Sequence, residues 1–124
     1  MIFVGESAGK GLGVFARRKI RKGERIEESP VIVVPASEIE HIEKTVLKDY
    51  YFVWGDDEEQ AALMLGPCSL CNHSYRPNAV FTLKPEKLAI EFAALRDIEA
   101  GEEITINYNG DPDNQKPIWF EALD

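Results

Sequence analysis

Apolar and polar residues alternate in short runs along this chain, and long stripes at helical spacing are rare. Ile90, Phe92 and Ala94 alternate with Glu91 and Ala93, the two-residue period of a strand with one buried face. Comparable runs rich in Val, Ile, Phe and Tyr fall at residues 14–16, 25–28, 31–34, 50–54, 79–83, 88–95 and 104–108. Lys22-Gly23-Glu24 and Ala100-Gly101-Glu102-Glu103 read as turns between them. One segment differs. Ser37 with Glu40 has capping-box spacing, and Ile39, Ile42, Val46 and Leu47 then fall near one face. That predicts a helix with His41 off its buried face. The pattern as a whole predicts a mostly β fold of several small sheets with one or two short helices.

The length of 124 residues suits one domain spanning 1–124. Fourteen basic against 22 acidic residues give a net charge of -8. Such a surface repels phosphate, which argues against direct nucleic acid binding, and it attracts basic partners. The charge is uneven: Lys10, Arg17, Arg18, Lys19, Arg21, Lys22 and Arg25 face only Glu6 and Glu24 in the first 25 residues. The segment around 17–25 is read as a solvated basic turn.

Met1-Ile2-Phe3-Val4-Gly5 lacks the form of a signal peptide, and no apolar run is long enough to span a bilayer. Two cysteines suit a reducing compartment. A soluble, intracellular, cytoplasmic protein is expected, with the nucleus as an alternative if the source is eukaryotic, and with no membrane partner. The sequence is compatible with a homodimer. Cys68-Ser69-Leu70-Cys71 has CxxC spacing but no second cysteine pair to complete a zinc site, and His73 lies one residue too far for haem attachment. Both cysteines are read as small core residues, and no metal is expected.

Three segments carry chemistry. Gly9-Lys10-Gly11-Leu12-Gly13-Val14-Phe15-Ala16 alternates glycines, which allow close backbone approach. Alone it is a glycine-rich turn running into a strand. Leu70-Cys71-Asn72-His73-Ser74-Tyr75-Arg76-Pro77-Asn78-Ala79 sets polar side chains between apolar strands, where they are expected to make specified hydrogen bonds; alone it also fits a turn. Gly101-Glu102-Glu103-Ile104-Thr105-Ile106-Asn107-Tyr108 is a turn feeding a strand that ends on a tyrosine.

In this order and spacing, the three segments resemble the SET domain family of protein-lysine methyltransferases. The matching residues are Lys10–Ala16, Asn72-His73-Ser74 with Pro77-Asn78, and Gly101–Thr105 leading to Tyr108, with Ala93, Arg96 and Asp97-Ile98 on the approach. The resemblance covers residues 3–109. It implies a β-clip-like fold of small sheets with a C-terminal pseudoknot, and methyl transfer from S-adenosylmethionine to a lysine of a basic protein: a histone, another DNA-packaging protein or a ribosomal protein.

By the same resemblance, Lys10, Gly11 and Leu12 line the donor pocket through main-chain groups. Asn72 contacts the donor's amino acid portion through its side chain, and His73 holds the adenine through its backbone, which makes His73 no general base. Tyr108 is the catalytic residue, and Phe81, Ile106 and Trp119 are placed at the substrate channel. Phe81 and Ile106 stand where a second tyrosine limits relatives to one methyl group. Neither has a hydroxyl, so di- or trimethylation is expected. Many histone-directed relatives carry a tyrosine at the position of Ser29, and many carry a zinc-binding cysteine cluster after the last motif. Here residues 110–124 contain no cysteine, and Trp119 or Phe120 either closes the lysine channel or anchors the terminus. Two other functions stay open at this point: a catalytically silent donor-binding or interaction module of the same fold, and a hydrolase or redox protein built on Cys71 and His73.

Overall fold

The structure, a computed structural model, describes residues 1–118, which hold nine strands, one short α-helix and four 3-10 turns. In chain order the strands and the helix are β1 (Ile2–Ser7), β2 (Gly11–Ala16), β3 (Arg25–Val34), α1 (Ile39–Ile42), β4 (Phe52–Trp54), β5 (Gln60–Met64), β6 (Asn72–His73), β7 (Ala79–Lys84), β8 (Ala89–Ala94) and β9 (Glu103–Ile106). They form two sheets, β1-β2-β9-β6 and β4-β5-β3-β8-β7. Every pairing is antiparallel except β6 with β9, where Asn72 stands beside Thr105 and His73 beside Ile106.

Local chemistry explains the turns. Gly23 and Gly101 take φ of +84° and +85°, a region that costs glycine little. Each turn closes with a backbone bond, Glu24 N–H to the Arg21 carbonyl and Glu102 N–H to the Glu99 carbonyl. A reciprocal bridge between Ile20 and Ile98, 2.8 Å in both directions, sets the two turns side by side. The basic residues Arg17, Arg18 and Lys19 are exposed there; Arg18 pairs with Glu24, and Lys19 with Asp97 and Glu99. Solvent screens exposed pairs of this kind, so they add little to stability.

The predicted alternation appears on β8, where Ile90, Phe92 and Ala94 are buried and Glu91 and Ala93 are not. They join Val14, Ile20, Ile98, Ile104 and Ile106 in one core between the sheets. Each large apolar side chain buried there contributes about 1.5–3 kcal/mol.

Three expectations need correction. The runs at 25–28 and 31–34 are a single strand, β3, which changes partner at Pro30: residues before it pair with β8 and residues after it with β5. Its first half carries a bulge between Arg25 and Glu27. The run at 88–95 begins one residue late, because Leu88 takes φ of +50° at the end of the turn Pro85–Lys87. The capping box at Ser37 does not form, and the helix is broken. A 3-10 turn at Ala36–Glu38 leads into α1, which lasts four residues, and a second 3-10 turn covers Val46–Asp49. Thr45 makes the break: its hydroxyl donates to the Ile42 carbonyl at 2.8 Å and accepts from Leu47 N–H at 3.1 Å. Such side-chain bonding competes with helix continuation. Val46 is left 78% exposed instead of buried.

No helix among the described residues is long and apolar enough to cross a membrane.

Candidate functional site

The second and third chemical segments meet through Asn78, which is buried. Its amide donates to the Glu103 carbonyl at 2.7 Å and to Glu102 Oε2 at 3.2 Å, while its oxygen accepts from Thr105 N–H at 2.9 Å. The side chain therefore acts as a short extra strand along β9. Beside it, β6 pairs with β9 in parallel, and Ser74 N–H donates to the Ile106 carbonyl. The residues after β9 are tied to one another and, through Tyr75, to those after β6. Asn107 donates to the Asn114 carbonyl at 2.6 Å, and Tyr75 OH and Asn109 both donate to the Lys116 carbonyl.

This crossing fixes Tyr108. Its backbone N–H donates to His73 Nδ1 at 3.0 Å, and its hydroxyl donates to the Cys71 carbonyl at 2.7 Å. The His73 ring also meets Tyr75 edge-on, with centroids 4.3 Å apart. Accepting a hydrogen bond at Nδ1 spends one nitrogen of His73 on architecture. Burial, and then the neighbouring Cys71, Tyr50, Asp49 and Glu103, push the Tyr108 phenol well above its ordinary range. It is a protonated hydrogen-bonding group at neutral pH. Its hydroxyl proton is committed to the Cys71 carbonyl.

The glycine-rich turn lies against the other end of β6. Gly11, with φ of +81°, leads from the turn into β2. Asn72 Nδ2 donates to the Leu12 carbonyl at 3.0 Å and to Glu103 Oε2 at 2.7 Å. Ser7 hydroxyl donates to Glu103 Oε1 at 2.8 Å. Gly13 is required by this cluster, since a Cβ there would stand 2.5 Å from Glu103 Oε2 and 3.0 Å from Asn72 Nδ2.

A cleft of about 720 Å³ opens on the Tyr108 side. Phe81, Ile106, Cys71 and Tyr108 line it, together with the segment Asp49, Tyr50, Tyr51 and Phe52. Phe52 and Phe81 meet edge-on at 5.0 Å. Glu43, Lys48 and Glu58 complete the charged part of the lining.

The predicted residues thus fall into two neighbouring groups. Tyr108, Phe81 and Ile106 share the cleft. Leu12 and Asn72 are hydrogen-bonded at the glycine turn, with Lys10 and Gly11 beside them in the chain and His73 holding Tyr108. The segment 71–73 joins the groups. Trp119 and Phe120 lie outside the described residues. Sequence reasoning missed the wall at 49–52. The aromatic run Tyr50-Tyr51-Phe52 was the available signal, and it was read as a strand, although only Phe52 of the three is in one. Glu103 was read as part of a turn, whereas its side chain organises the Asn72 end of the site.

Cys68 and Cys71 are free and buried. Their mutual hydrogen bond, then burial, pushes the Cys68 thiol far up, away from thiolate chemistry. Among the described residues, no group of three or more His, Cys, Asp or Glu is arranged to hold a metal ion.

Residues 11–109 match the SET domain family. A fission yeast (Schizosaccharomyces pombe) protein named histone-lysine N-methyltransferase, H3 lysine-37 specific, is 38% identical over 113 residues, covering 90% of this chain and 71% of that protein. The histone-lysine N-methyltransferase SET9 of Gibberella zeae is 38% identical over 96 residues, which span 77% of this chain and 14% of that much longer protein. The crystal structure of a candidate histone methyltransferase from Plasmodium falciparum superposes with a TM-score of 0.71 at 31% identity, covering 90% of this chain and 99% of that one. Chaetomium thermophilum Polycomb Repressive Complex 2, autoinhibited and bound to S-adenosylmethionine, superposes at 0.74 with 24% identity, over 86% of this chain and 15% of that one, a likeness of fold alone. With the family matched across most of its length, and with these relatives, the chain belongs to the SET domain family.

Proposed function

We propose that the chain is one SET domain over 1–124 that transfers methyl groups from S-adenosylmethionine to a lysine amine of a basic protein. The observation that carries this is the position of Tyr108: fixed at both ends, it stands in the wall of an aromatic cleft one segment away from the glycine turn.

The glycine turn fits the donor. Nothing lies within 4 Å of where a Gly11 Cβ would stand, so the space beside Gly11 is open to a ligand. Asn72 supplies a side-chain contact and His73 a backbone one. When bound, the donor supplies a methyl group on a sulfonium, open to in-line displacement with the C–S electron pair leaving to sulfur. The chain's own task is alignment, which is where such a reaction gains most. The Phe52, Phe81 and Ile106 walls suit the lysine's methylene stem and exclude water. The Tyr108 oxygen and the Cys71 carbonyl are acceptors that can take the amine's N–H groups and aim its lone pair. An apolar wall also lowers the amine's pKa from about 10.4, favouring the neutral, nucleophilic form.

Three of the four charged residues lining the cleft are acidic, Glu43, Asp49 and Glu58, which suits a lysine with basic neighbours. The names of the relatives make a histone the first substrate to try, in an intracellular setting. The test is incubation with methyl-labelled S-adenosylmethionine and a panel of histones and other basic proteins, followed by mass spectrometry. Label on lysine supports the reading. Donor binding with no transfer to any member would favour a silent module.

A further inference from the structure

We infer that Glu103 is a positioning residue for donor binding, because it dictates which atom of Asn72 faces the donor. The inference rests on the donor site proposed above. An amide side chain can be turned end for end with little change in shape, and its hydrogen-bond partners decide its orientation. Both partners of the Asn72 nitrogen are pure acceptors. One amide hydrogen goes to the Leu12 carbonyl at 3.0 Å and the other to the Glu103 carboxylate at 2.7 Å. Reversing the amide would set its oxygen against both. Among the described residues, no hydrogen bond reaches Asn72 Oδ1. The side chain therefore presents an acceptor alone.

An acceptor selects the donor's α-ammonium, which has three hydrogens to give, and rejects its α-carboxylate. Glu103 is itself held by the Ser7 hydroxyl at 2.8 Å, so its carboxylate spans β1, β6 and β9 and keeps the amide turned before any ligand arrives. Its part is hydrogen-bonding and steric. The α-ammonium is read by Asn72, and Glu103 acts through it.

The test uses two probes, S-adenosylhomocysteine and its analogue lacking the α-amino group, titrated calorimetrically. Wild type is expected to prefer the amino-bearing ligand by about tenfold, equivalent to about 1.4 kcal/mol. Glu103→Met removes the acceptor and should compress that preference to about threefold or less. Glu103→Gln keeps an oxygen that can accept from Asn72 and should restore it. If Glu103→Met does not fold, Asn72→Ala must erase the preference instead. A preference kept in Glu103→Met or in Asn72→Ala overturns the inference. So does a preference lost equally in Glu103→Gln, since the charge and not the orientation would then matter. If wild type binds neither probe, the donor site itself is wrong. If it binds both equally, the donor site stands and only this inference fails.

Discussion

Tyr108 donates from its backbone to His73 Nδ1 at 3.0 Å and from its hydroxyl to the Cys71 carbonyl at 2.7 Å, so one tripeptide holds it at both ends. The ring cannot swing without losing the hydroxyl bond, and the strand end cannot fray without losing the backbone bond. The phenol's raised pKa makes a prediction about alkaline pH. A folded value above the unfolded value of about 10 means its contribution to stability is full below that pH. It is lost as pH rises from there towards the folded value. In an absorbance titration of the native protein, Tyr108→Phe should remove the last tyrosinate to form. Loss of an early-forming tyrosinate would contradict the burial argument.

The two cysteines should resist alkylation in the native state, because both are buried and the Cys68 thiol is pushed far up by its bond to Cys71 and by burial. Iodoacetamide at neutral pH is expected to label neither and to leave methyl transfer intact. Rapid labelling with loss of activity would revive chemistry at Cys71.

Gly13→Ala should damage the Asn72 cluster specifically. Its new Cβ would stand 2.5 Å from Glu103 Oε2, so the carboxylate must move and the Asn72 bond with it. Crowding of this kind costs about 1–3 kcal/mol. Melting should shift down accordingly, and donor affinity should fall in protein that is still folded. Unchanged donor affinity would show that the Glu103–Asn72 pair does not shape the pocket.

These predictions mix residues that were legible in the sequence with residues that were not. Strands with one buried face, such as β8, declare themselves by alternation, and Gly23 and Gly101 mark turns because only they accept those dihedrals cheaply. β5 was invisible: Ala61 and Ala62 are both fully buried, so it has no alternation, and alanine is a poor strand former. β6 is two residues long and exists only because Thr105 and Ile106, more than thirty positions later, lie beside it. The site residues named from the three segments were readable because their chemistry is local. The cleft lining at 49–52 was not, since it joins the cleft only when the chain after the Thr45 break reaches Phe81 and Ile106.

Product number follows from that cleft. Phe81 and Ile106 line the cleft and bring no hydroxyl to it. Di- and trimethyl-lysine are expected on a single-lysine peptide with excess donor. Phe81→Tyr and Ile106→Tyr should each shift the product towards monomethyl-lysine. Strict arrest at monomethyl-lysine in wild type, with excess donor and long incubation, would show this argument to be wrong.

The central claim is that Tyr108 aligns a lysine amine for methyl transfer. It is tested most directly by single-turnover methyl transfer to a lysine substrate, comparing wild type with Tyr108→Phe under saturating donor. The account predicts a loss of more than about tenfold in rate, a barrier increase above about 1.4 kcal/mol, with S-adenosylhomocysteine affinity unchanged. A Tyr108→Phe protein that transfers methyl within about tenfold of wild type would contradict it.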